Sequence, residues 1–469
     1  MLFNSFQLIF VFFPVCLAVA TRLRGSALLV WVNLSSVVFY ALTGHAWFVI
    51  PMLFTTILDF KLSHLLARQN SDGARRAVLI GSLCANFGLL FYFKYAGFFV
   101  DTVVDTLGLL GATGGSGEHD SLEFLRVILP AGISFYTFQT VAYMVDVYRG
   151  HTKPERSFWR FAGFVSFFPH LVAGPLTRHH ELVPGLARIE QDGVRPRWRE
   201  GVPLFVIGLS KKVLIADRIA HFIDPLLLQP ADLTMTTAWL SLLGFSLQIY
   251  FDFSAYSDMA IGLSRLLGVE LPQNFNNPYQ ALSPQDFWKR WHITLSRWLR
   301  DYLYIPLGGN RKGPARRYIN LALTMLLGGL WHGASWTFAI WGLYHGGLLV
   351  LHRLLQEQWE AWPSWAQRVL TFSLVTFGWL FFRCSNLDEA GTWMGALVGH
   401  NGFHTPFEKL PKLAALVVLG LVLVNFFPVA SSWPKWRTMP WVGQVVLAAL
   451  FVASILMIHE SSRFIYFQF

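Results

Sequence analysis

SPQDFWKRWHITLSRWLRDYLYIPLGG (283–309) and NLALTMLLGGLWHGASWTFAIWGLYHGG (320–347) lie close together in the chain but differ in polarity. The first crowds basic residues and tryptophans around His292, whereas the second carries His332 through an apolar run. An ionisable group inside a bilayer costs free energy and by default marks a polar cavity or a proton path. The contrast between the two histidines makes this stretch the first candidate for a functional site in a helical membrane fold.

The composition of the whole chain indicates an integral membrane protein. Of its 469 residues, 54% are hydrophobic and 14% are charged, whereas about a quarter of residues are charged in typical soluble proteins. Apolar stretches recur from end to end, so we predict a single polytopic domain over residues 1–469. The first apolar segment has no basic region before it, which favours a retained span over a cleaved signal peptide. The cysteines Cys16, Cys84 and Cys384 lack metal-ligand spacing, so we expect neither a disulfide framework nor a metal site.

The apolar stretches predict an all-α fold with about 11 spans, each near the 20 residues needed to cross a bilayer. Re-entrant or interfacial helices are expected beside them. The predicted spans lie at residues 6–20, 26–43, 46–63, 78–100, 125–148, 202–217, 236–266, 319–350, 370–383, 413–429 and 441–458.

Charges in the loops predict the orientation of these spans. Basic residues follow the first, third and fifth spans, whereas the loop after the fourth span carries acidic residues that include Glu118, Asp120 and Glu123. Under the positive-inside rule the basic loops are cytoplasmic and the N-terminus is external. The 319–350 run leaves the later topology open. If it is a hairpin hinged at the glycines around His332, the loop with Lys435 and Arg437 is internal, and if it crosses once, that loop is external.

A further apolar segment, residues 161–175, has basic residues on both sides. A simple crossing would leave the basic residues that follow it outside the cell. We therefore predict a re-entrant hairpin broken at Pro169 to Pro175, with its non-helical backbone covered by protein.

A helix is predicted to begin at Ser283. Serine can cap a helix, Pro284 suits the first helical position, and Asp286 completes a pattern close to a capping box. An aromatic face is then expected from Trp288, Trp291, Leu295 and Trp298. One interpretation is an amphipathic anchor at the membrane interface. The alternative is that the basic residues grip an anionic, phosphate-rich substrate, and His292 fits either; those residues are Lys289, Arg290, Arg297, Arg300, Arg311, Lys312, Arg316 and Arg317.

His332 has a more specific setting, GGLWHGASW. Gly328, Gly329 and Gly333 permit a close approach of backbone or ligand and a break in the helix. A neutral imidazole can take a proton from a hydroxyl or thiol, and it can carry an acyl group. The alternative is a structural histidine bonded to a neighbouring helix.

Two further groups of polar residues come before this stretch. Asp252 and Asp258 lie in a predicted span, where they are candidates for a proton relay, for orienting a histidine, or for structural pairing with a buried base or with backbone donors. Asn274, Asn276 and Asn277 precede Pro278 and are typical of a turn, although they are also candidates for binding a polar substrate.

Several long motifs in matching order resemble the membrane-bound O-acyltransferases, and within them the bacterial branch typified by the membrane component of alginate O-acetylation. The similarity extends over about residues 1–385. The motifs are ILPAGISFYTFQTVAYMVDVYRG (128–150), FVSFFPHLVAGP (164–175), YFDFSAYSDMAIGL (250–263), LPQNFNNPY (271–279), FWKRWHITLSRWLRDYLYIPLGGN (287–310) and LLGGLWHGASWTFAIWGLYHG (326–346).

The resemblance implies a helical bundle around a funnel, in which an acyl group from a cytoplasmic donor reaches an acceptor outside. It implies catalytic roles for His332 and His292. We expect acetyl-CoA as the donor, no tightly bound cofactor and no metal. The predicted substrate-binding residues are Trp288, Arg290, Trp291, Trp331, Asn276, Asn277, Asp252 and Asp258.

The resemblance also implies a cellular setting. We expect a multi-pass protein of the bacterial inner membrane with a periplasmic N-terminus. The expected partners are membrane lipid, polysaccharide export machinery and a periplasmic esterase-like acetyltransferase, with no nucleic acid. The predicted product is an O-acetylated exported polysaccharide such as alginate or cellulose. The alternatives are D-alanine export to teichoic acid, a proton-coupled transporter, or a structural scaffold in which both histidines are dispensable.

Overall fold

The computed structural model describes residues 1–109, 128–403, 409–426 and 440–460, together with residues 462, 464 and 465. Within these residues the secondary structure is helical and no β-strand is found, which confirms the predicted all-α class. The chain forms two compact units. The first contains Phe10–Arg195 and Leu267–Glu270, and the second contains Leu2–Ile9, Pro196–Leu266 and the described part of Leu271–Phe469. The loop residues Glu118, Asp120, Glu123, Lys435 and Arg437, used above to predict topology, lie outside the described residues.

The first unit has eight α-helices outside residues 110–127, which the structure does not describe. Short π- or 3₁₀-helical turns continue or precede some of them at Gln7–Phe12, Ala46–Phe48 and Phe91–Tyr95. The α-helices are α1 (Phe13–Ala20), α2 (Gly25–Ala41), α3 (Val49–Arg68), α4 (Asp72–Leu90), α5 (Ala96–Leu109), α6 (Ile133–Tyr148), α7 (Phe158–Ser166) and α8 (His179–Asp192).

Helices α3, α4 and α6 pack together around a buried carboxylate. Asp59 of α3 accepts hydrogen bonds from Ser82 Oγ at 2.6 Å and from Asn86 Nδ2 at 2.8 Å. The Asn86 side-chain oxygen accepts from Thr140 Oγ1 at 3.0 Å. A buried polar group is expensive unless it is hydrogen-bonded, so this network explains how an acidic residue is accommodated in an apolar helix.

Among the residues that the structure describes, two helical stretches are long and apolar enough to cross a membrane, Ala46–Arg68 and Asp72–Thr106. Four shorter apolar helices occur as well, at Gln7–Ala20, Gly25–Ala41, Leu410–Phe426 and Trp441–Leu456. These findings do not confirm the predicted number of about 11 spans.

The predicted break near Pro169 is confirmed. Helix α7 begins at a serine cap, because Ser157 Oγ accepts the backbone N–H of Arg160, and it ends at Ser166. Residues 167–178 are not helical, and most of them are buried before α8 begins. His170 lies in this turn and shares a 2.7 Å hydrogen bond with Gln139 of α6. The position of this helix–turn–helix relative to a membrane stays a prediction.

The second unit has twelve α-helices in its described part. A π-helical turn, Lys211–Ala216, joins the first two, and another, Arg300–Tyr304, follows the fifth. The helices are α9 (Trp198–Ser210), α10 (Asp217–Leu227), α11 (Met235–Leu266), α12 (Pro284–Arg290), α13 (Ile293–Leu299), α14 (Gly313–His332), α15 (Trp336–Leu354), α16 (Gln356–Glu360), α17 (Ser364–Arg383), α18 (Leu387–Leu397), α19 (Leu410–Phe426) and α20 (Trp441–Leu456).

Helix α11 is the central helix of this unit. It has 32 residues, which corresponds to about 48 Å at the α-helical rise. Most of its side chains are buried, and it packs against α9, α10, α17, α18 and α19.

Two ion pairs tie α11 to the π-helical turn after α9. Lys211 Nζ lies 2.7 Å from Asp258, and Lys212 Nζ lies 2.7 Å from Asp252 and 2.8 Å from Asp217. All five side chains are largely buried. Of the interpretations left open for Asp252 and Asp258, pairing with a buried base is confirmed.

Helices α14 and α15 form a hairpin, as the hinge interpretation predicts. Gly333 follows the last residue of α14, and the Ser335 hydroxyl caps α15 by accepting the N–H of Phe338. A side chain on Gly329 would clash with the Phe338 carbonyl, and one on Gly342 would clash with that of Met325. The glycines therefore let the two backbones touch, as small residues do between membrane helices.

Candidate active site

The helix predicted from Ser283 begins as expected. The Ser283 hydroxyl accepts the N–H of Asp286 at 3.1 Å, and the Asp286 carboxylate accepts the N–H of Leu282 at 3.1 Å. Pro284 is the first helical residue. All residues of this cap lie within about one helical turn of each other, so the sequence alone is sufficient to predict it.

The same helix ends sooner than predicted. Helix α12 stops at Arg290, Trp291 is extended, and His292 adopts a left-handed backbone with φ of 42° before α13 begins. Such a conformation costs a non-glycine residue about 1–3 kcal/mol and persists where the surroundings impose it. One continuous aromatic face over residues 288–298 is therefore wrong.

Residues 274–276, which precede α12 in the chain, bond to the backbone at this break. The N–H of Asn276 donates to the Arg290 carbonyl, and the N–H of Ile293 donates to the Asn274 carbonyl, each at 2.9 Å. Two backbone groups at the interruption are thereby satisfied, as buried backbone requires. Trp291 and His292 are each 1% exposed, so the interfacial-anchor interpretation is also wrong for them.

The Asn274 side chain orients His292. Its Oδ1 accepts the Thr294 hydroxyl at 2.8 Å and the Thr294 N–H at 3.3 Å, and its Nδ2 donates to Ser257 at 3.4 Å. Nδ1 of His292 lies 3.2 Å from the same Oδ1. Because an amide oxygen only accepts, Nδ1 must carry the hydrogen. The neutral ring then has its lone pair on Nε2.

Burial keeps His292 neutral. The residue lies between two helices too short to span a membrane, and burial lowers the pKa of its imidazole to about 3. The same burial makes the ring a weak base, so the neutral imidazole with its defined tautomer is suited to accept a hydrogen bond at Nε2.

His332, the last residue of α14, lies beside His292. Their ring centroids are 6.4 Å apart, although 40 positions separate them in sequence (332 − 292). Both rings contact Trp331, His332 at 5.0 Å and His292 at 6.2 Å. The two histidines therefore belong to one cluster, although the stretches that carry them differ in polarity.

Aromatic side chains surround this histidine pair. Trp341 of α15 and Phe382 of α17 lie 5.2 Å and 5.3 Å from the His332 ring. Phe253 of α11 lies 4.8 Å from the His292 ring. His332 is 6% exposed, so the two imidazoles lie in a largely apolar environment. Electrostatic interactions and hydrogen bonds are stronger there than in water.

A basic pocket lies at the opposite end of α14 and α15. It has a volume of about 210 Å³, and the eight residues that line it include no carboxylate. Arg317 donates to the Tyr318 hydroxyl and Arg353 donates to the Gln356 side-chain oxygen, both neutral partners. The buried Nε of Arg317 has no hydrogen-bond partner in the described part of the chain. The lining residues are Gln285, Tyr304, Asn310, Arg317, Leu321, Leu349, His352 and Arg353.

The structure separates the predicted substrate-binding residues into groups. Trp331 contacts both histidines, and Trp288 packs against Trp341 at 5.7 Å. Trp291 instead packs in the core against Trp379 at 4.9 Å, and Arg290 forms a 2.9 Å ion pair with Asp286.

The asparagine and aspartate candidates lie in other settings. Asn277 is a left-handed turn residue, which confirms the turn interpretation, and Asn276 is exposed. Asp252 and Asp258 pair with lysines, as described above. Substrate binding by these four residues stays a prediction.

Sequence reasoning did not assign a role to His352 and Arg353, which line the basic pocket. It named Asn274 only as a turn or substrate-binding candidate, and it did not predict that this side chain orients His292. The spacing of residues on α15 could have indicated the pocket residues. Trp341, His345 and Leu349 follow at intervals of four, and His352 comes three residues later. Such spacing places side chains on one face of a helix.

Comparison with known proteins identifies the family. Residues 155–386 match the model of MBOAT, the membrane-bound O-acyltransferase family. The chain is also 38% identical to a probable alginate O-acetylase of Pseudomonas putida, with 100% of both chains covered. The chain belongs to the membrane-bound O-acyltransferase family. It is therefore a membrane protein and an acyltransferase, and the transporter and scaffold alternatives do not agree with this assignment.

Other members of this O-acyltransferase family differ in what their names say they modify. The chain is 35% identical to a peptidoglycan O-acetyltransferase of Helicobacter pylori, covering 100% of this chain and 98% of the relative. It is 28% identical to a teichoic acid D-alanyltransferase of Bacillus subtilis, covering 56% of this chain and 69% of the relative.

Proposed function

We propose that this O-acyltransferase passes acetyl from acetyl-CoA to an acceptor hydroxyl on the way to O-acetylation of an exported glycan, with the His292–His332 pair as its catalytic centre. The observation that carries the proposal is the meeting of two buried imidazoles, 6.4 Å apart, among aromatic side chains. The names of the full-length relatives support O-acetylation and a glycan acceptor.

In the proposed reaction His332 removes the proton of the acceptor hydroxyl as its oxygen attacks the thioester carbonyl. The carbon–oxygen bond forms, the carbon–sulfur bond breaks, and the thiolate leaves and takes up the proton. His292 is next to this base with its lone pair on Nε2, so it can accept a hydrogen bond from the reacting groups. A general base of this kind contributes about 10²–10⁴ in rate.

The donor is proposed to bind with its phosphates in the basic pocket. The guanidinium groups of Arg317 and Arg353 suit phosphate oxygens, because arginine presents several donors in a planar fork. Of the basic residues predicted to grip phosphates, Arg317 lines this pocket, whereas Arg290 and Arg300 are paired with Asp286 and Asp301. This arrangement supports a soluble anionic thioester as the donor.

The acceptor is proposed to be a polysaccharide such as alginate or cellulose, or the glycan of peptidoglycan. We further propose an inner-membrane location, a periplasmic N-terminus and a periplasmic esterase-like partner that completes transfer to the polymer. D-alanine transfer has weaker support, because the D-alanyltransferase relative matches little more than half of the chain.

The test is donor consumption by membranes containing the full chain. Release of free thiol from acetyl-CoA and appearance of labelled acetyl on cell-wall or exported glycan are measured for wild type and His332→Ala. We expect His332→Ala to lower both signals about a hundredfold or more. His221→Ala is the matched control, because His221 is an exposed histidine of α10 in the same unit.

Full acetyl transfer by a correctly inserted His332→Ala protein would contradict the proposed mechanism. Transfer of D-alanine from a carrier protein, with no use of acetyl-CoA by wild type, would replace the proposed donor with that of the teichoic acid enzymes.

A further inference from the structure

His345 of α15 is a buried histidine with no role in the reaction described above. It is 1% exposed, and neither of its ring nitrogens has a hydrogen-bond partner among the residues that the structure describes. A neutral imidazole always has one N–H to donate and one lone pair to accept. Leaving both unused in a buried site costs free energy, so such a group needs an explanation.

The neighbours of His345 add two more unused donors. Trp288 and Trp341 lie 5.2 Å and 4.9 Å from the His345 ring, and neither indole N–H has an acceptor within the described ranges. Phe287 stacks at 6.3 Å. We call the group of His345, Trp288 and Trp341 the His345 cage. Three side chains with unused hydrogen-bonding capacity thus meet among aromatic rings, and together they offer both donors and an acceptor.

Helix α17 closes the cage on one side. A side-chain methyl on Gly378 would lie 2.9 Å from Nε2 of His345. Glycine at this position therefore leaves room for the imidazole and for whatever contacts it.

The cage lies between the basic pocket and the histidine pair. On α15, Trp341 contacts His332, His345 follows one turn later, and Leu349 lines the pocket after one more turn. On α12, Gln285 lines the pocket and Trp288, three residues later, contacts His345. Each step of four residues advances about 6 Å along a helix, so α15 leads from the pocket past the cage to His332, and α12 leads from the pocket to the cage.

We propose that the His345 cage binds the amide-containing arm of the acyl donor. This inference rests on the proposed function, in which the phosphates occupy the basic pocket and the thioester reaches His332. The pantetheine arm of CoA carries amide carbonyls and amide N–H groups between these two ends. Its carbonyls accept from the indole N–H groups, and an amide bonds the imidazole of His345. His345 is thus a binding and specificity residue for donors with a pantetheine arm.

The experiment measures binding of three probes to the purified full-length chain in lipid nanodiscs: CoA, pantetheine, and adenosine diphosphate as the anionic end alone. The variants are His345→Leu, which removes both ring nitrogens, and His345→Gln, which retains a donor and an acceptor. His221→Leu makes the same change at an exposed histidine of α10 and serves as the control.

We expect His345→Leu to weaken the binding of CoA and of pantetheine about tenfold, as for the loss of one or two hydrogen bonds. Binding of adenosine diphosphate should be unchanged. His345→Gln should restore most of the loss, and His221→Leu should bind all three probes like wild type. If His345→Leu does not fold, Trp288→Phe is tested in its place, because it removes one indole N–H and keeps an aromatic ring at this position. We expect Trp288→Phe to weaken the binding of pantetheine severalfold.

The inference is overturned if wild type and His345→Leu bind pantetheine equally. Where Trp288→Phe is tested instead, equal binding by that variant and wild type has the same meaning. A buried water would then be left as the occupant of the cage. Equal weakening of all three probes would also overturn it, because it would indicate a structural role. Failure of wild type to bind CoA at all would instead remove the proposed donor itself.

Discussion

Two buried polar clusters of the second unit differ in how their side chains are satisfied. Lys212 is held by Asp217, Asp252 and the Ser462 hydroxyl, at 2.7 to 3.2 Å, and the second oxygen of Asp252 accepts the N–H of Ile465. The histidine cluster instead places His292 and His332 among aromatic rings, with the tautomer of His292 set by Asn274.

The difference separates structural from chemical roles. Opposite charges that neutralise each other hold α11, the adjoining turn and the C-terminal tail together, but they have little capacity left for a substrate. Neutral imidazoles in a largely apolar cluster can take a proton from a bound group. An ionisable residue in an apolar span is therefore not evidence of catalysis until its partners are known, as Asp252 and His332 illustrate.

The comparison predicts the largest loss of stability when the cluster of Lys212, Asp217 and Asp252 is disrupted. Replacing Lys212 by methionine leaves two buried carboxylates without their cation, and breaking such a pair typically costs about 3–5 kcal/mol. The free energy of unfolding of the purified protein measures this effect. Arg300→Met, which removes a more exposed pair with Asp301, should cost about 1 kcal/mol or less. Similar losses for both variants would show that the cluster has no special structural role.

The α14–α15 contact should be the next most sensitive feature. Gly329→Ala introduces a methyl group against the Phe338 carbonyl, and overpacking of this kind costs about 1–3 kcal/mol. Because His332 ends α14, acetyl transfer should fall as the helices separate. Gly347→Ala on α15 is the control, since no atom lies within 4 Å of the added methyl. Wild-type stability and transfer in Gly329→Ala would show that close packing of these helices is not required.

Asn274 should affect activity more than stability. Asn274→Leu removes the acceptor that fixes Nδ1 of His292, so we expect transfer to fall about tenfold or more. Purified variants are compared by kcat and KM for acetyl-CoA. An unchanged kcat would mean that the tautomer of His292 has no part in the reaction.

The pH dependence of Asn274→Asp sharpens the same point. In wild type, burial lowers the pKa of His292 to about 3, so this base stays neutral between about pH 5 and 8. A carboxylate beside Nδ1 favours the protonated ring and raises its pKa. Activity should then fall at a higher pH than in wild type as the solution is acidified. An unshifted acid limb would contradict the assignment of His292 as a neutral hydrogen-bond acceptor in the reaction.

The smallest predicted effect concerns the basic pocket. Arg353→Gln should raise KM for acetyl-CoA about five- to tenfold through loss of a charged hydrogen bond to phosphate, while kcat changes little. Arg300→Gln removes a cation that already pairs with Asp301 and should leave KM near the wild-type value. Equal effects of the two variants would indicate general attraction of anions rather than a defined site.

Much of the local structure could be predicted because its signals are local. The cap at Ser283 requires residues within one helical turn, and the hinge after His332 requires neighbouring glycines and a serine. The motif order was sufficient to indicate the family, and the comparisons with known proteins confirmed it. By contrast, spacing alone favoured one aromatic helix over residues 288–298. It could not show that residues 274–276 bond the backbone at His292 and interrupt that helix.

The sequence by itself determined that this is a helical membrane protein of the O-acyltransferase family, and that His332 is the residue to test first. Composition, caps, glycines and motif order are sufficient for these conclusions. Only the tertiary structure decided that His292 and His332 share one cluster, that Asp252 and Asp258 belong to lysines, and that His352 and Arg353 line a pocket with Arg317. These facts depend on contacts between residues far apart in the chain, and no spacing along the sequence specifies such contacts.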